Sequence, residues 1–183
     1  IQLYDQVFSS APEEITEYHG VPFLAKKIRP DSNLISNTGF EGNFTAWVQR
    51  GEEGAEYFID STERHSGQFS AKMKCAYEIP YGVLAYYVGF VENTTYYVSG
   101  WVKAESEDLV QPPRIEVLFL DSENRTIGPR YYSMVALRAG SWSFMDLIVT
   151  APKGTARGHV ALLGSSGETL WFDDISLYEV GYI

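Results

Sequence analysis

Cysteine occurs once, at Cys75, so the chain can form no internal disulfide and no cysteine-based zinc cluster. Histidine is almost as scarce, and His19, His65 and His159 show no metal-ligand spacing. Positive charge is short as well: 14 Lys and Arg stand against 24 Asp and Glu, a net charge of −10. That balance disfavours nucleic acid and anionic membrane surfaces as partners, because both are anionic themselves. No apolar run approaches the roughly 18 residues of a membrane span. Catalytic signatures are missing too. There is no G-x-S-x-G, no H-E-x-x-H and no phosphate loop; Gly164-Ser165-Ser166-Gly167 reads as a turn, and Glu52-Glu53 is too local for a glycosidase pair. A non-enzymatic protein is the expectation.

Asparagine is also sparse, yet three of the five, Asn43, Asn93 and Asn124, stand in N-x-S/T sequons. The alternative is that these are ordinary turn residues. As glycan acceptors they point to an extracellular or cell-surface protein, and a chain that opens on Ile1 rather than Met is expected of a processed or excised product.

What is present is extended chain. From Asn33 onward, short runs rich in Tyr, Val and Phe alternate with turn clusters. Expected strands are 57–59, 69–76, 84–91, 95–104, 114–120, 130–137, 142–150, 158–163 and 169–180, and no long helix is visible. This is the pattern of an all-β, antiparallel β-sandwich. Residues 1–30 differ and form an arm ahead of a domain at 31–183. Ile1, Leu3 and Val7 share one strand face and Tyr4 and Phe8 the other; Ser10-Ala11-Pro12-Glu13-Glu14 resembles a short helix start, and 21–28 a second extended piece.

Four motifs in order carry a resemblance: Asn33-Leu34-Ile35-Ser36-Asn37-Thr38-Gly39-Phe40-Glu41 followed by Trp47, then His65-Ser66-Gly67-Gln68-Phe69-Ser70-Ala71-Lys72, then 94–104 (TTYYVSGWVKA), then Trp171-Phe172-Asp173-Asp174-Ile175-Ser176-Leu177. Residues 33–180 thereby resemble the jelly-roll carbohydrate-binding modules appended to xylanases and related glycoside hydrolases. The resemblance implies two packed antiparallel sheets and a structural Ca2+. The metal would be held by Glu41, by backbone oxygen near Ser66 and Gly67, and by Asp173 or Asp174. Hard oxygen ligands drawn from distant segments suit calcium, which also offsets their mutual repulsion.

Sugar sites of that family use exposed Trp or Tyr with amides and carboxylates around them. Alternation about a hairpin at Asn93-Thr94 groups Tyr87 with Tyr97 and Trp101 in one expected aromatic strip, with Arg114 and Glu116 on a neighbouring strand. Trp47, Trp142 and Trp171 read as packing residues. Several strands, 115–120, 143–149 and 160–163, are apolar on both faces, so something should cover the second face. Two functions follow. In the first, the arm adds a strand to another copy through Ile1, Leu3, Tyr4, Val7 and Phe8, and the protein is a subunit of an extracellular filament or surface structure. In the second, the chain is a polysaccharide-binding module of a glycoside hydrolase. The arm has no counterpart in the family module and is apolar at alternating positions, unlike a Gly/Ser/Pro linker, and this favours the first.

Overall fold

The computed structural model describes residues 17–18, 21–22, 33–51, 53–77, 81–109 and 111–180. Twelve strands run through them: β1 (Glu17–Tyr18), β2 (Val21–Pro22), β3 (Trp47–Gly51), β4 (Glu56–Asp60), β5 (Ser70–Lys74), β6 (Tyr81–Val88), β7 (Thr95–Ala104), β8 (Arg114–Leu120), β9 (Thr126–Met134), β10 (Trp142–Thr150), β11 (Arg157–Ser165) and β12 (Thr169–Val180). β1 and β2 pair with each other; the other ten form two five-stranded antiparallel sheets, a first of order β10-β7-β12-β5-β4 and a second of order β3-β6-β11-β8-β9. Among the described residues there is no helix. The molecule is the all-β sandwich expected of the sequence. The assembly residues Ile1, Leu3, Tyr4, Val7 and Phe8, the helix start at Ser10 and the rest of the extended piece beyond Pro22 lie outside the described residues.

Strand alternation decides which side chains form the core. β7 sends Tyr96, Val98, Val102 and Ala104 inward, β8 sends Ile115, Val117 and Phe119, β11 sends Val160 and Leu162, and β12 sends Leu170 and Phe172. Phe90 fills the middle of one end, with ring centroids 4.9 Å from both Tyr96 and Phe119. Trp47 packs 5.2 Å from Phe40, and its indole N–H donates to the Asn37 carbonyl at 2.9 Å, so this tryptophan is core, as expected. Gly100 faces inward where Ile175 crosses over β7; a Cβ there would collide with the Ile175 side chain.

Two features position the candidate sites. The first is a bulge in β12. Its pairing with β7 breaks between Asp173 and Ser176, Asp174 adopts φ +50°, and the freed Ile175 N–H donates to the Thr38 carbonyl at 2.9 Å. The start of the sandwich lies on the same strand. The Asn33 side-chain oxygen accepts from the N–H groups of Ile35 (3.1 Å) and Leu177 (3.0 Å), and Leu34 N–H donates to the Leu177 carbonyl.

The second is the connection from β6 to β7. The sequence reads as a hairpin at Asn93-Thr94, but β6 and β7 belong to different sheets. Buried Phe90 anchors an arch between the layers, and Asn93 and Thr94 bond to Ala151 on the loop after β10 rather than closing a two-stranded turn. Asn43, Asn93 and Asn124 all sit in exposed turns with φ between +57° and +65°. Asn tolerates this left-handed conformation better than most residues, which accounts for Asn at the three positions with or without attached sugar.

Candidate functional site

The outer face of the second sheet is hollowed into a cavity of about 440 Å³. Its floor follows from the register. Ala161 on β11 lies between Ala85 on β6 and Glu116 on β8, and Leu163 lies between Val83 and Arg114. Two alanines side by side at mid-sheet leave a depression that larger residues would fill. Ala85, Ala161, Leu163, Glu116 and His159 are all buried at its base. Large side chains rise around them. Tyr81 and Tyr87 from β6 and Tyr132 from β9 are 43%, 47% and 50% exposed, an unusual grouping of half-open rings on one face.

Polar groups in the hollow are ordered by contact. Glu116, only 3% exposed, accepts a charge-assisted hydrogen bond from Arg130 at 2.5 Å. Arg50 at the end of β3 donates to the Tyr87 hydroxyl at 2.6 Å, with its guanidinium 5.9 Å from the ring centre, and Arg114 lies over Tyr132 at 5.4 Å. His159 meets Tyr87 edge to face at 5.9 Å. Burial lowers the His159 pKa; Glu116 pulls it up, while Arg130 and Arg50 press it down further, so the balance favours the neutral ring. The arrangement offers flat apolar rings at the rim and donors and acceptors at the base. That is what a polyhydroxylated ring needs: C–H faces to stack and hydroxyls to bond.

A family model described as a carbohydrate binding domain matches residues 32–161, well over half of the chain. The chain belongs to this family. The carbohydrate-binding domain is similar in fold to several solved structures. The enzymatically active domain of tailspike protein 4 of bacteriophage CBA120 shares a TM-score of 0.68 at 13% identity, over 83% of this chain and 22% of that one. A family 16 carbohydrate binding module shares 0.65 at 17% identity, over 80% of this chain and 100% of that one. A xylan-binding domain from Paenibacillus barcinonensis shares 0.60 at 15% identity, over 82% of this chain and 96% of that one. Identities this low show a common fold. The chain thus spans about a fifth of the tailspike chain but nearly the whole of the two modules. No curated protein matches it.

The domain divides the residues expected to bind sugar. Arg114 and Glu116 line the hollow, and Tyr87 stands beside it on the same face, opposite His159. Tyr97 and Trp101 do not: they point outward from β7, on the other sheet. The single aromatic strip is therefore not formed, because the β6–β7 connection is an arch and strand parity carries no information across it. Tyr97 is buried, its hydroxyl donating to Asp146 at 3.0 Å, and Trp101 stacks on His65 at 4.0 Å. Trp171 is buried as well, donating to Asp60 at 2.9 Å beneath Lys72. Sequence reasoning missed Arg50, Tyr81, Arg130, Tyr132 and His159. The available signal was the spacing of two along Arg114/Glu116, Arg130/Tyr132 and His159/Ala161/Leu163.

The residues expected to hold calcium do come together. Regular alternation would send Asp173 and Asp174 to opposite faces, but the bulge turns both toward the 64–69 loop. Asp173 accepts from the N–H groups of His65 (2.8 Å) and Ser66 (3.1 Å); Asp174 meets the Ser66 hydroxyl and the His65 ring, both at 2.7 Å. Glu41 accepts from Gln68 (2.7 Å) and Phe69 (3.1 Å), and Gly67 at φ +59° leaves room that a Cβ would take from the Glu41 carboxylate. Ser66 and Gly67 were expected to offer backbone oxygen. Instead the turn presents N–H groups to the acids, and the Gly67 carbonyl accepts from Arg64 at 3.1 Å. Burial and the neighbouring Asp174 push the Asp173 carboxyl up to about 6. Among the described residues no three His, Cys, Asp or Glu side chains are arranged to hold a metal ion. Carboxylate oxygens suit calcium in kind, but several of those here already accept N–H or O–H donors, so main-chain oxygens would have to complete the shell.

Proposed function

We propose that the protein is a non-catalytic, extracellular polysaccharide-binding domain whose hollow on the second sheet receives the chain. One observation carries the reading: Tyr81 lines a cavity floored by alanine and by bonded polar groups, and half-exposed Tyr87 and Tyr132 flank it on the same face, opposite His159 and Glu116. The tyrosines stack on sugar faces. Glu116, Arg130, Arg50, Arg114 and His159 bond hydroxyls. Membership of the carbohydrate binding domain family supports it. Nothing in fold or family supports the filament subunit that the N-terminal arm suggested, and glycan binding takes its place. The test is affinity electrophoresis in soluble xylan, glucan and mannan. At least one should retard the domain. Covering a few tens of Å² of ring contributes about 1 kcal/mol at ~25 cal/mol per Å², so Tyr87→Ala and Tyr132→Ala should each weaken retardation several-fold without loss of folding. Retardation that survives both substitutions, or none by any neutral or acidic polysaccharide, overturns the site.

We further infer that Glu41 and Asp173 hold a structural calcium that locks the 64–69 loop to β12. A ligand at a hundredfold excess over its Kd adds about 2.7 kcal/mol of stability. Melting in calcium should therefore lie several degrees above melting in chelator, and coincident curves count against the ion.

A further inference from the structure

The charge of the hollow runs against that of the chain. The protein carries −10 overall, yet the hollow gathers Arg50, Arg114 and Arg130 against one carboxylate, Glu116. Glu116 is spent on Arg130. Neither Arg50 nor Arg114 has an acid within ion-pair distance among the described residues. Each instead lies against a tyrosine ring. The register sets them on one row of the sheet: Arg50 opposite Val83, Val83 opposite Leu163, Leu163 opposite Arg114. Three inter-strand steps of about 4.8 Å separate their backbones by roughly 14 Å, the reach of a short oligosaccharide. Two cations at either end of a hollow flanked by exposed tyrosine rings are more than neutral hydroxyls require. The fork of a guanidinium matches a carboxylate or a sulfate in a bidentate pair.

We propose that the hollow selects acidic polysaccharide, a chain bearing uronate or sulfate groups that pair with Arg50 and Arg114. This rests on the reading of the hollow as a sugar site and adds the class of sugar.

The experiment titrates the full chain with two matched pairs, polygalacturonate against its methyl ester and dextran sulfate against dextran. In about 0.1 M salt the screening length is about 10 Å, so the overall −10 does not dominate the local field. The acidic member of at least one pair should bind about tenfold tighter or more, equivalent to about 1.4 kcal/mol. The pair that discriminates identifies uronate or sulfate. The preference should collapse in Arg50→Gln/Arg114→Gln and, on the unaltered chain, in about 1 M salt, where screening shortens to about 3 Å. The salt arm serves even where the variant fails to fold. Equal binding within both pairs, a preference that survives the double variant folded, or no binding to any of the four, overturns the proposal. Binding to any of the four, or retardation by neutral xylan, glucan or mannan, then leaves the sugar site standing; the absence of all of these removes both.

Discussion

Strands β7 and β11 each have two neighbours in their sheets, and each sends alternate residues outward. From β7 come Tyr97, Ser99 and Trp101; from β11 come His159, Ala161 and Leu163. Both outward sets are largely buried, so burial alone does not tell them apart. Shape does. On β7 the outward side chains are large and already engaged, Tyr97 with Asp146 and Trp101 with His65 and Phe144. On β11 the centre is small, and bulk is moved to the flanking strands as Tyr81, Tyr87, Tyr132 and three arginines. On β11 the second face is shielded by the walls of a hollow.

The largest break in this comparison comes from filling the floor. Ala161→Trp puts an indole where a sugar would lie, and binding should fall at least about a hundredfold, or about 2.7 kcal/mol, with folding kept because the hollow opens to solvent. Titration with whichever polysaccharide the unaltered domain binds measures this; undiminished affinity shows that the ligand lies elsewhere. Next is Trp101→Ala on the other sheet. Loss of a half-buried ring stacked at 4.0 Å should cost about 2 kcal/mol of stability while leaving sugar affinity unchanged, the reverse of what a binding platform would show.

A smaller effect separates the two members of the ion pair. Arg130→Ala strands a buried carboxylate, whereas Glu116→Gln leaves a guanidinium that is 62% exposed and keeps its water. Urea unfolding should therefore show the arginine variant to be the less stable, by about 1–2 kcal/mol after discounting for that exposure. Equal losses would mean that Glu116 is hydrated after all. The smallest effect is one of pH. His159 titrates lower in the folded protein than its ordinary 6.5, chiefly through burial. As pH falls through 6.5 the unfolded chain takes up a proton that the folded chain refuses, so this group lowers stability toward acid pH. His159→Gln should shrink the loss of stability between about pH 7.5 and 5.5 relative to the unaltered chain. Parallel losses would show that the ring is protonated in the fold.

Much of this was legible in the sequence because it is periodic. Alternation put Tyr97 and Trp101 on one face of their strand, which holds, whereas 115–120 and 160–163, apolar on both faces, left their inward set open. The ordered motifs brought Glu41 and Asp173 to one loop. What could not be read was which strands are neighbours. Parity relates residues within a strand, but only hydrogen bonding relates strands, and the arch at Phe90 moves the chain to the opposite layer. Tyr87 was therefore grouped with residues across the sandwich, while Arg50 and Tyr132, on the same face, went unnoticed. β3 gave no warning at all: after Trp47 its residues are exposed, and such a run has no apolar alternation to follow.

The Asn33 side chain has a mechanical consequence. It ties the first turn of the sandwich to Leu177, three residues before the last described strand ends at Val180. Tension applied between the chain ahead of Asn33 and the chain beyond Val180 enters and leaves near the same end of β12, the central strand of the first sheet. The load is borne by the short clasp at Asn33, Leu34 and Leu177, and little of it crosses to the second sheet. A domain pulled by its neighbours in sequence would keep its hollow unstrained until that clasp gave way.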